Sequence, residues 1–381
     1  MTTAQILLIS ALLFAILYYF ITAAKKPKLV YQKNEKNNEI VKNTPTLTNR
    51  YFATPWLFNT HAQLIVLGFI KGFAKPLKYD RQDVLTMKDG GTVSVDWLGL
   101  NLPEDRPTMV VLHTITGSPH SMRGFVRYIY EKLGWRVALC VRRGHGDLDF
   151  TAPSYNTLGN ADDFAEQLKH IQSCFPKSDL YATGISAGSG ALAQYLGRVG
   201  EDTPLKAAMA YCPAYDMRNA FSRAKPFYSK MMAKKLKKAF IYPNEETFGH
   251  LDSYNAMKEV EDLHDYHQHL YGMAGNSDTE DYMQNSNPAV VFDNIKIPML
   301  ILNAEDDPVC HIDNVYEHQH RMEKMPNVIL AVTKRGSHCA YFEGWRAKPW
   351  ANRLIAEYFS AHHKLNNTDS KNQNSKIKVA S

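Results

Sequence analysis

Short runs of uninterrupted apolar residues, among them Val110-Val111-Leu112 and Met299-Leu300-Ile301-Leu302, recur along this chain between longer amphipathic stretches. A strand with one face in water alternates polar and apolar side chains. A run without alternation is covered on both faces. The pattern predicts strands over Thr92–Leu98, Met109–His113, Arg136–Val141, Leu180–Gly184, Lys206–Cys212, Pro298–Asn303 and Asn327–Val332. It predicts helices over Ser121–Leu133, Ala161–Cys174, Ala187–Arg198, Asp313–Glu323 and Trp350–His362. Such alternation implies an α/β fold, a mainly parallel sheet wrapped by helices through right-handed crossovers. With 45% hydrophobic and 22% charged residues the composition is globular, which excludes a disordered or fibrous chain. Its 381 residues suit one large domain or two of average size.

Two stretches break the rhythm. Residues 213–297 are mostly helical in character and too long for a plain crossover, so they are expected to form an inserted helical lid. At the other extreme, Met1 to Ala24 carry no charge, and as a helix Ala4 to Ala24 would span about 30 Å, one hydrocarbon core. Without a basic start, and with an apolar run longer than an ordinary signal sequence has, residues 1–24 read as an uncleaved transmembrane anchor rather than a cleaved signal peptide. Lys25, Lys26, Lys28, Lys33 and Lys36 follow at once, which by the positive-inside rule puts the bulk of the chain on the cytosolic side. Five cysteines without metal-ligand spacing fit free thiols in a reducing compartment. The one glycosylation sequon, at Asn366, is weak evidence for the other side. Residues 25–45 and 364–381 are rich in Lys and Asn without apolar periodicity; the first reads as a linker and the second as a disordered tail, leaving 46–363 as the folded domain.

Gly184-Ile185-Ser186-Ala187-Gly188 closes an expected strand and opens an expected helix, the context of a nucleophile elbow. In that sharp turn the flanking residues must be small, Ser186 Oγ is pushed out over the carboxyl edge of the sheet, and the Ala187 N–H is aimed at the reacting oxygen. A phosphate-cradling turn has the same glycines, so the partners decide. A serine hydroxyl needs a base, and the base needs a carboxylate that fixes its tautomer. Asp307 follows the strand ending at Asn303, and His338 follows the strand ending at Val332. The order Ser186, Asp307, His338, all at carboxyl ends of strands, is that of an open α/β sheet with a hydrolytic triad. Asp306 and Asp216 are the alternative acids, and His311, His318 and His320 lie close to Asp307 in sequence. His264, His267 and His269 suggest a metal, but neither carboxylates nor cysteines accompany them at ligand spacing, and no metal or other cofactor is expected. A second oxyanion donor is expected from the loop His113-Thr114-Ile115-Thr116-Gly117, with the Ile115 N–H as the candidate. Arg143-Gly144-His145-Gly146 reads as a structural loop whose arginine is tied down internally.

With these residues in view, the chain resembles the α/β-hydrolase superfamily, and within it the type 4 family of membrane-anchored abhydrolase-domain lipases, which also holds bacterial hydrolases and fungal medium-chain fatty acid ester synthases. The resemblance runs from roughly Tyr51 to His362. It rests on Asn59-Thr60-His61-Ala62-Gln63 after Phe58, Asp96-Trp97, His113–Gly117, Arg143–Gly146, Gly184–Gly188, Asp306-Asp307-Pro308 and Gly336-Ser337-His338. Thr114 and Thr60 stand where the family has glycine and proline. The resemblance implies Ser186, Asp307 and His338 as the triad, and fatty-acyl substrates: phospholipids, monoacylglycerols or medium-chain esters.

The expected activity is that of a membrane-anchored serine hydrolase that cleaves carboxylic esters through an acyl-enzyme, acting on a lipid or fatty acyl ester at a membrane. Transfer of the acyl group to an alcohol, or a catalytically silent lipid-binding protein, remain open at this point. The acyltransferase pattern of His, four residues, then Asp is not met, because Glu343 stands where the Asp would be. The formal net charge of +6 is unevenly spread. Arg218, Arg223, Lys225, Lys230, Lys234, Lys235, Lys237 and Lys238 fall in the lid with no acid between 217 and 240, and six lysines against two glutamates fall between 25 and 42, so the remainder is acidic. The lid stretch reads either as an interfacial basic helix or as a solvated helix with a buried Met/Leu face. A nucleic-acid partner is not expected, since no binding fold accompanies the patch.

Overall fold

The computed structural model describes the backbone of every residue except Phe58 and Ser381, and side chains as far as Thr368 with Phe58 apart. The chain begins with α1 (Thr3–Thr22), then β1 (Lys28–Tyr31), α2 (Glu35–Lys42), α3 (Pro45–Thr48), α4 (Thr60–Phe73), β2 (Arg81–Thr86) and β3 (Thr92–Leu98). The alternating body follows: β4 (Thr108–Leu112), α5 (Pro119–Leu133), β5 (Arg136–Val141), α6 (Ala161–Cys174), β6 (Leu180–Ile185), α7 (Ala187–Val199) and β7 (Leu205–Tyr211). The insertion holds seven short helices: α8 (Met217–Ala220), α9 (Pro226–Leu236), α10 (Glu245–Phe248), α11 (Tyr254–Glu259), α12 (Leu263–His269), α13 (Thr279–Ser286) and α14 (Pro288–Val291). Then come β8 (Met299–Ala304), α15 (Ile312–Met322), β9 (Val328–Thr333), the hairpin strands β10 (Phe342–Glu343) and β11 (Lys348–Pro349), and α16 (Trp350–Ala380).

Nine strands form one sheet in the order β1-β9-β8-β7-β6-β4-β5-β3-β2. From β5 to β9 the neighbours are parallel, and β1, β3 and β2 run antiparallel at the margins. The parallel strands are buried along almost their whole length, as their unalternating sequences require. On one face Met122, Val126 and Ile129 of α5 and Leu354, Ile355 and Phe359 of α16 pack on the sheet; on the other lie Phe164 and Leu168 of α6 and Leu192 and Leu196 of α7. All seven expected strands and five expected helices are present, within a few residues at their ends except for α16, which runs well past His362.

The segment expected to be a linker is part of the domain. β1 pairs with β9, Val30 opposite Leu330, and α2 buries Ile40 and Val41 in the same core as α16. Polar side chains hold it: Asn34 caps α2 by accepting the Asn37 N–H, and Asn34 and Asn37 both donate to Pro326 O. A four-residue edge strand with one buried side chain shows no periodicity to read. The expected tail also differs, since α16 carries its backbone helix on through 364–380. His363 donates to or accepts from Tyr181 Oη at 3.2 Å and Leu365 packs on the core, so the helix has partners past the point where its apolar period fades.

Among the described residues α1 is the one helix long and apolar enough to cross a membrane, and none of its residues is buried. It joins the body without slack. Tyr19 Oη donates to Ala53 O at 2.6 Å, Arg50 to Ala24 O at 2.6 Å, and Lys25 bridges to Tyr51.

Candidate active site

The turn from β6 into α7 carries Ser186 in a backbone conformation few residues adopt, with φ 53° and ψ −118°. Such strain costs roughly 1–3 kcal/mol and persists only where the surroundings impose it. Here a Cβ on Gly184 would strike Gly188 O and Ser189, and one on Gly188 would strike Leu112 O and His113 O. Only glycines let the strand, the helix and the neighbouring β4 come this close. The Ser186 N–H donates to Tyr211 O at 2.8 Å, which pins the turn to β7.

Ser186 Oγ lies 2.8 Å from His338 Nε2, and His338 Nδ1 lies 2.9 Å from Asp307 Oδ2. The other carboxylate oxygen of Asp307 accepts the N–H groups of Val309 and Cys310 at 2.8 and 2.9 Å, so its orientation is fixed from both sides. Burial pushes the His338 imidazole down, but the Asp307 carboxylate and the neighbouring Cys310 outweigh it and raise the pKa well above the ordinary 6.5. Asp306, the alternative acid, serves a different purpose, accepting from Thr60 Oγ1 at 3.0 Å and from the Ser337 N–H at 2.8 Å. Ser337 Oγ in turn donates to Thr60 O at 3.2 Å. The start of α4 is thereby stitched to the acid loop and the base loop together. Asp216 caps α8 and takes Asn287 Nδ2 at 2.7 Å, and is bonded to neither Ser186 nor His338.

The expected oxyanion loop is held from behind by Arg142, which sequence reasoning missed, and by His145, which it read only as part of a structural loop. Arg142 donates to His113 O at 3.1 Å and Thr114 O at 2.7 Å, and the His145 Nε2 sits 3.0 Å from Ile115 O. Since a trans peptide sets N–H opposite C=O, a Thr114 carbonyl turned to Arg142 turns the Ile115 N–H the other way. His145 is pushed down to about 3 by burial and by Arg142, so it stays neutral, and Arg142 itself is lowered to about 10 by burial. Thr114 keeps a negative φ, which a β-branched side chain accepts in glycine's place. Ile115, Ser186 and Ala187 line a cavity of ≈ 20 Å³, room for about one water, closed by Leu158, Phe221 and Met232. Lid and body share a separate apolar core there, in which Ile115 and Ala187 meet Phe221, Phe240 and Tyr266. Beside Ser186 and His338 lies a larger and mostly apolar cavity of ≈ 220 Å³, walled by Leu67 and Ile70 of α4, by Ala74 just past its end, by Phe125, and by Ile185 and Cys339 next to Ser186 and His338.

The remaining candidates find structural roles. Arg143 makes a two-pronged ion pair with Asp163 at 2.7 Å and a further one with Asp89, tied down as its sequence context implies. His311 caps α15, and His318 stacks on Tyr215. His267 is buried against Phe221 with both nitrogens engaged, by Thr157 Oγ1 at 2.8 Å and Leu263 O at 2.7 Å, and is not free to bind an ion. Glu343 pairs with Arg353 at 2.7 Å, away from His338 Nδ1. Half of the basic lid charges are also committed: Arg218 to Glu280, Arg223 to Glu317, Lys230 to Glu261, and Lys237 to Lys258 O.

The chain is 26% identical over 367 residues to phospholipase ABHD3 of Bos taurus, covering 90% of this chain and 86% of that protein. It is 26% identical over 352 residues to the embryogenesis-associated protein EMB8 of Picea glauca, covering 86% and 76%. Over 371 residues it is 24% identical to human monoacylglycerol lipase ABHD2, covering 88% and 85%. The alpha/beta hydrolase fold family matches residues 107–344, more than half of the chain, from the start of β4 to the β10 hairpin and across the whole Ser-His-Asp arrangement. With the sheet order and the strained serine turn already in place, this chain belongs to the α/β-hydrolase fold family.

Proposed function

We propose that the protein is a membrane-anchored serine hydrolase that cleaves carboxylic esters of fatty acids. The observation that carries this reading is the continuous hydrogen-bonded line Ser186 Oγ, His338, Asp307 at 2.8 and 2.9 Å. His338 takes the hydroxyl proton as Ser186 attacks the ester carbonyl, and Asp307 holds the imidazole in the tautomer that presents Nε2 to the serine. The Ala187 and Ile115 N–H groups receive the developing oxyanion, each such donor contributing about 3 kcal/mol. His338 then protonates the leaving alcohol, and water releases the acyl group by the same steps in reverse.

The substrate class follows from surroundings and relatives together. The ≈ 220 Å³ cavity beside the triad is lined chiefly by apolar side chains and suits an alkyl chain better than a polar group. Two of the three relatives named are a phospholipase and a monoacylglycerol lipase. Helix α1 serves as the anchor, and the lysines that follow it favour a cytosolic catalytic domain. Reaction of the full chain in membranes with a fluorophosphonate probe tests the assignment. Wild type labels and Ser186→Ala does not, and ester hydrolysis falls by about 10⁴-fold or more. A wild-type chain that neither labels nor hydrolyses would sink the reading.

A further inference from the structure

Helix α4 carries its polarity inside out for a helix in water. Its two buried side chains, Thr60 and Gln63, are polar, while Ile65, Phe69, Ile70 and Phe73 stand exposed, Phe73 at 84%. Residues four apart share a helix face, so Ile65, Phe69 and Phe73 form one apolar stripe. The stripe does not end with the helix. Exposed Trp56, just before it, donates to Trp345 O at 2.9 Å, and Trp345 is itself 75% exposed. Gly344 N–H in turn donates to Phe52 O, and the Phe52 ring meets Phe20 of α1 edge-on at 6.3 Å. Exposed apolar side chains thus recur from α1 through Phe52, Trp56 and Trp345 to the far end of α4.

On the other flank α4 is joined to lid helix α9, where His61 Nδ1 lies 2.7 Å from Tyr228 Oη and the two rings stack. The outer side of α9 shows Phe227 and Met231, followed by exposed Lys234, Lys235 and Lys238, which have no acidic partner among the described residues. A contiguous patch of this kind marks an interaction surface, and its composition, aromatic groups bordered by unpaired lysines, is that of a lipid interface. What covers it is set by α1. That helix leaves the body beside Phe52 and is bonded to it through Tyr19 and Ala24, so a bilayer around α1 starts at this face.

We propose that α4, the outer side of α9 and the Phe52–Trp56 and Trp345 loops dock flat on an anionic bilayer. The aromatic and aliphatic side chains enter the acyl boundary and Lys234, Lys235 and Lys238 meet the phosphates. This assignment rests on α1 as a membrane span, and is independent of the hydrolytic role of Ser186. It brings the mouth of the larger cavity, walled by Leu67, Ile70 and Ala74, to the lipid surface.

The test uses the full chain in nanodiscs of phosphatidylcholine with phosphatidylserine. An environment-sensitive thiol probe is placed at Phe73→Cys and, separately, at Lys177→Cys, just ahead of β6 at the end of the sheet opposite Ser186; the parent chain corrects for native cysteines. Nitroxide lipids should quench the probe at 73 several-fold more than the probe at 177. Equal quenching at the two sites, or none at 73 in a chain that has entered the disc, overturns the docking. A probe at 73 shielded from both water and lipid, with cross-linked dimers, assigns the face to a second copy and overturns it also. A chain that does not enter the disc at all overturns both the span and the docking. As a functional arm, Phe69→Glu with Phe73→Glu should lower hydrolysis of a vesicle-borne ester about tenfold and leave a soluble short-chain ester within about twofold.

Discussion

His338 is where acid-base chemistry is most exposed to test. Its pKa is raised because the Asp307 carboxylate favours the imidazolium more strongly than burial disfavours it, and only the neutral ring can take the Ser186 proton. Activity should therefore fall as pH drops through a value above 6.5, read as the acidic limb of kcat/KM. Asp307→Asn removes the larger raising influence and leaves burial and Cys310, so the His338 titration, followed by its ring proton shifts, should move down while kcat falls by about 10⁴-fold. A titration unmoved by that substitution would mean that Asp307 is not the group that holds the ring. That Ser186, Asp307 and His338 come together was legible in the sequence because chain order, strand ends and a glycine-flanked serine all converge on them. Arg142 was not legible, and His145 only as part of a structural loop without its role. They act on carbonyls of the 113–115 loop, and a backbone acceptor leaves no mark in residue type. Thr60 was visible only as a departure from a motif; its bond to Asp306 shows what the position does.

Among the elements, the sheet centre could be read and its margins could not. A strand covered on both faces has a composition of its own, whereas β2 is polar and half exposed and β1 has a single buried residue. Helix α4 escaped because periodicity looks for an apolar face turned inward, and here that face is turned out. The basic lid stretch needs a narrower description than its eight charges suggest. Arg218, Arg223 and Lys230 are neutralised by Glu280, Glu317 and Glu261 and Lys237 is bonded to Lys258 O, which leaves Lys225 just ahead of α9, Lys234 and Lys235 on it and Lys238 just past its end without an acidic partner among the described residues. Reversing Lys234, Lys235 and Lys238 to glutamate should weaken hydrolysis of a lipid ester in anionic vesicles by about a hundredfold or more, at about 1 kcal/mol per charge, and much less in neutral vesicles. Equal loss in both kinds of vesicle, shared by a soluble ester, would point to misfolding of α9 instead.

At the scale of the whole molecule, the unexpected feature is the junction between α1 and the domain. Read as a linker, residues 25–45 would let the catalytic domain swing over about 70 Å. Folded into β1, α2 and the Tyr51 bridge, they leave it no such radius. With α1 in a bilayer, such a molecule samples substrate by lateral diffusion beneath it and not by search through the solution. Its relevant concentration is molecules per unit area. Mixing enzyme-bearing vesicles with separate vesicles that hold the ester should give almost no hydrolysis until the two populations are fused; brisk turnover without fusion would show that the junction opens. With α1 as the proposed span, the short, tied junction would make hydrolysis answer to the composition of one membrane: the rate should report how crowded with substrate that leaflet is, and dilution of the whole suspension should leave it unchanged.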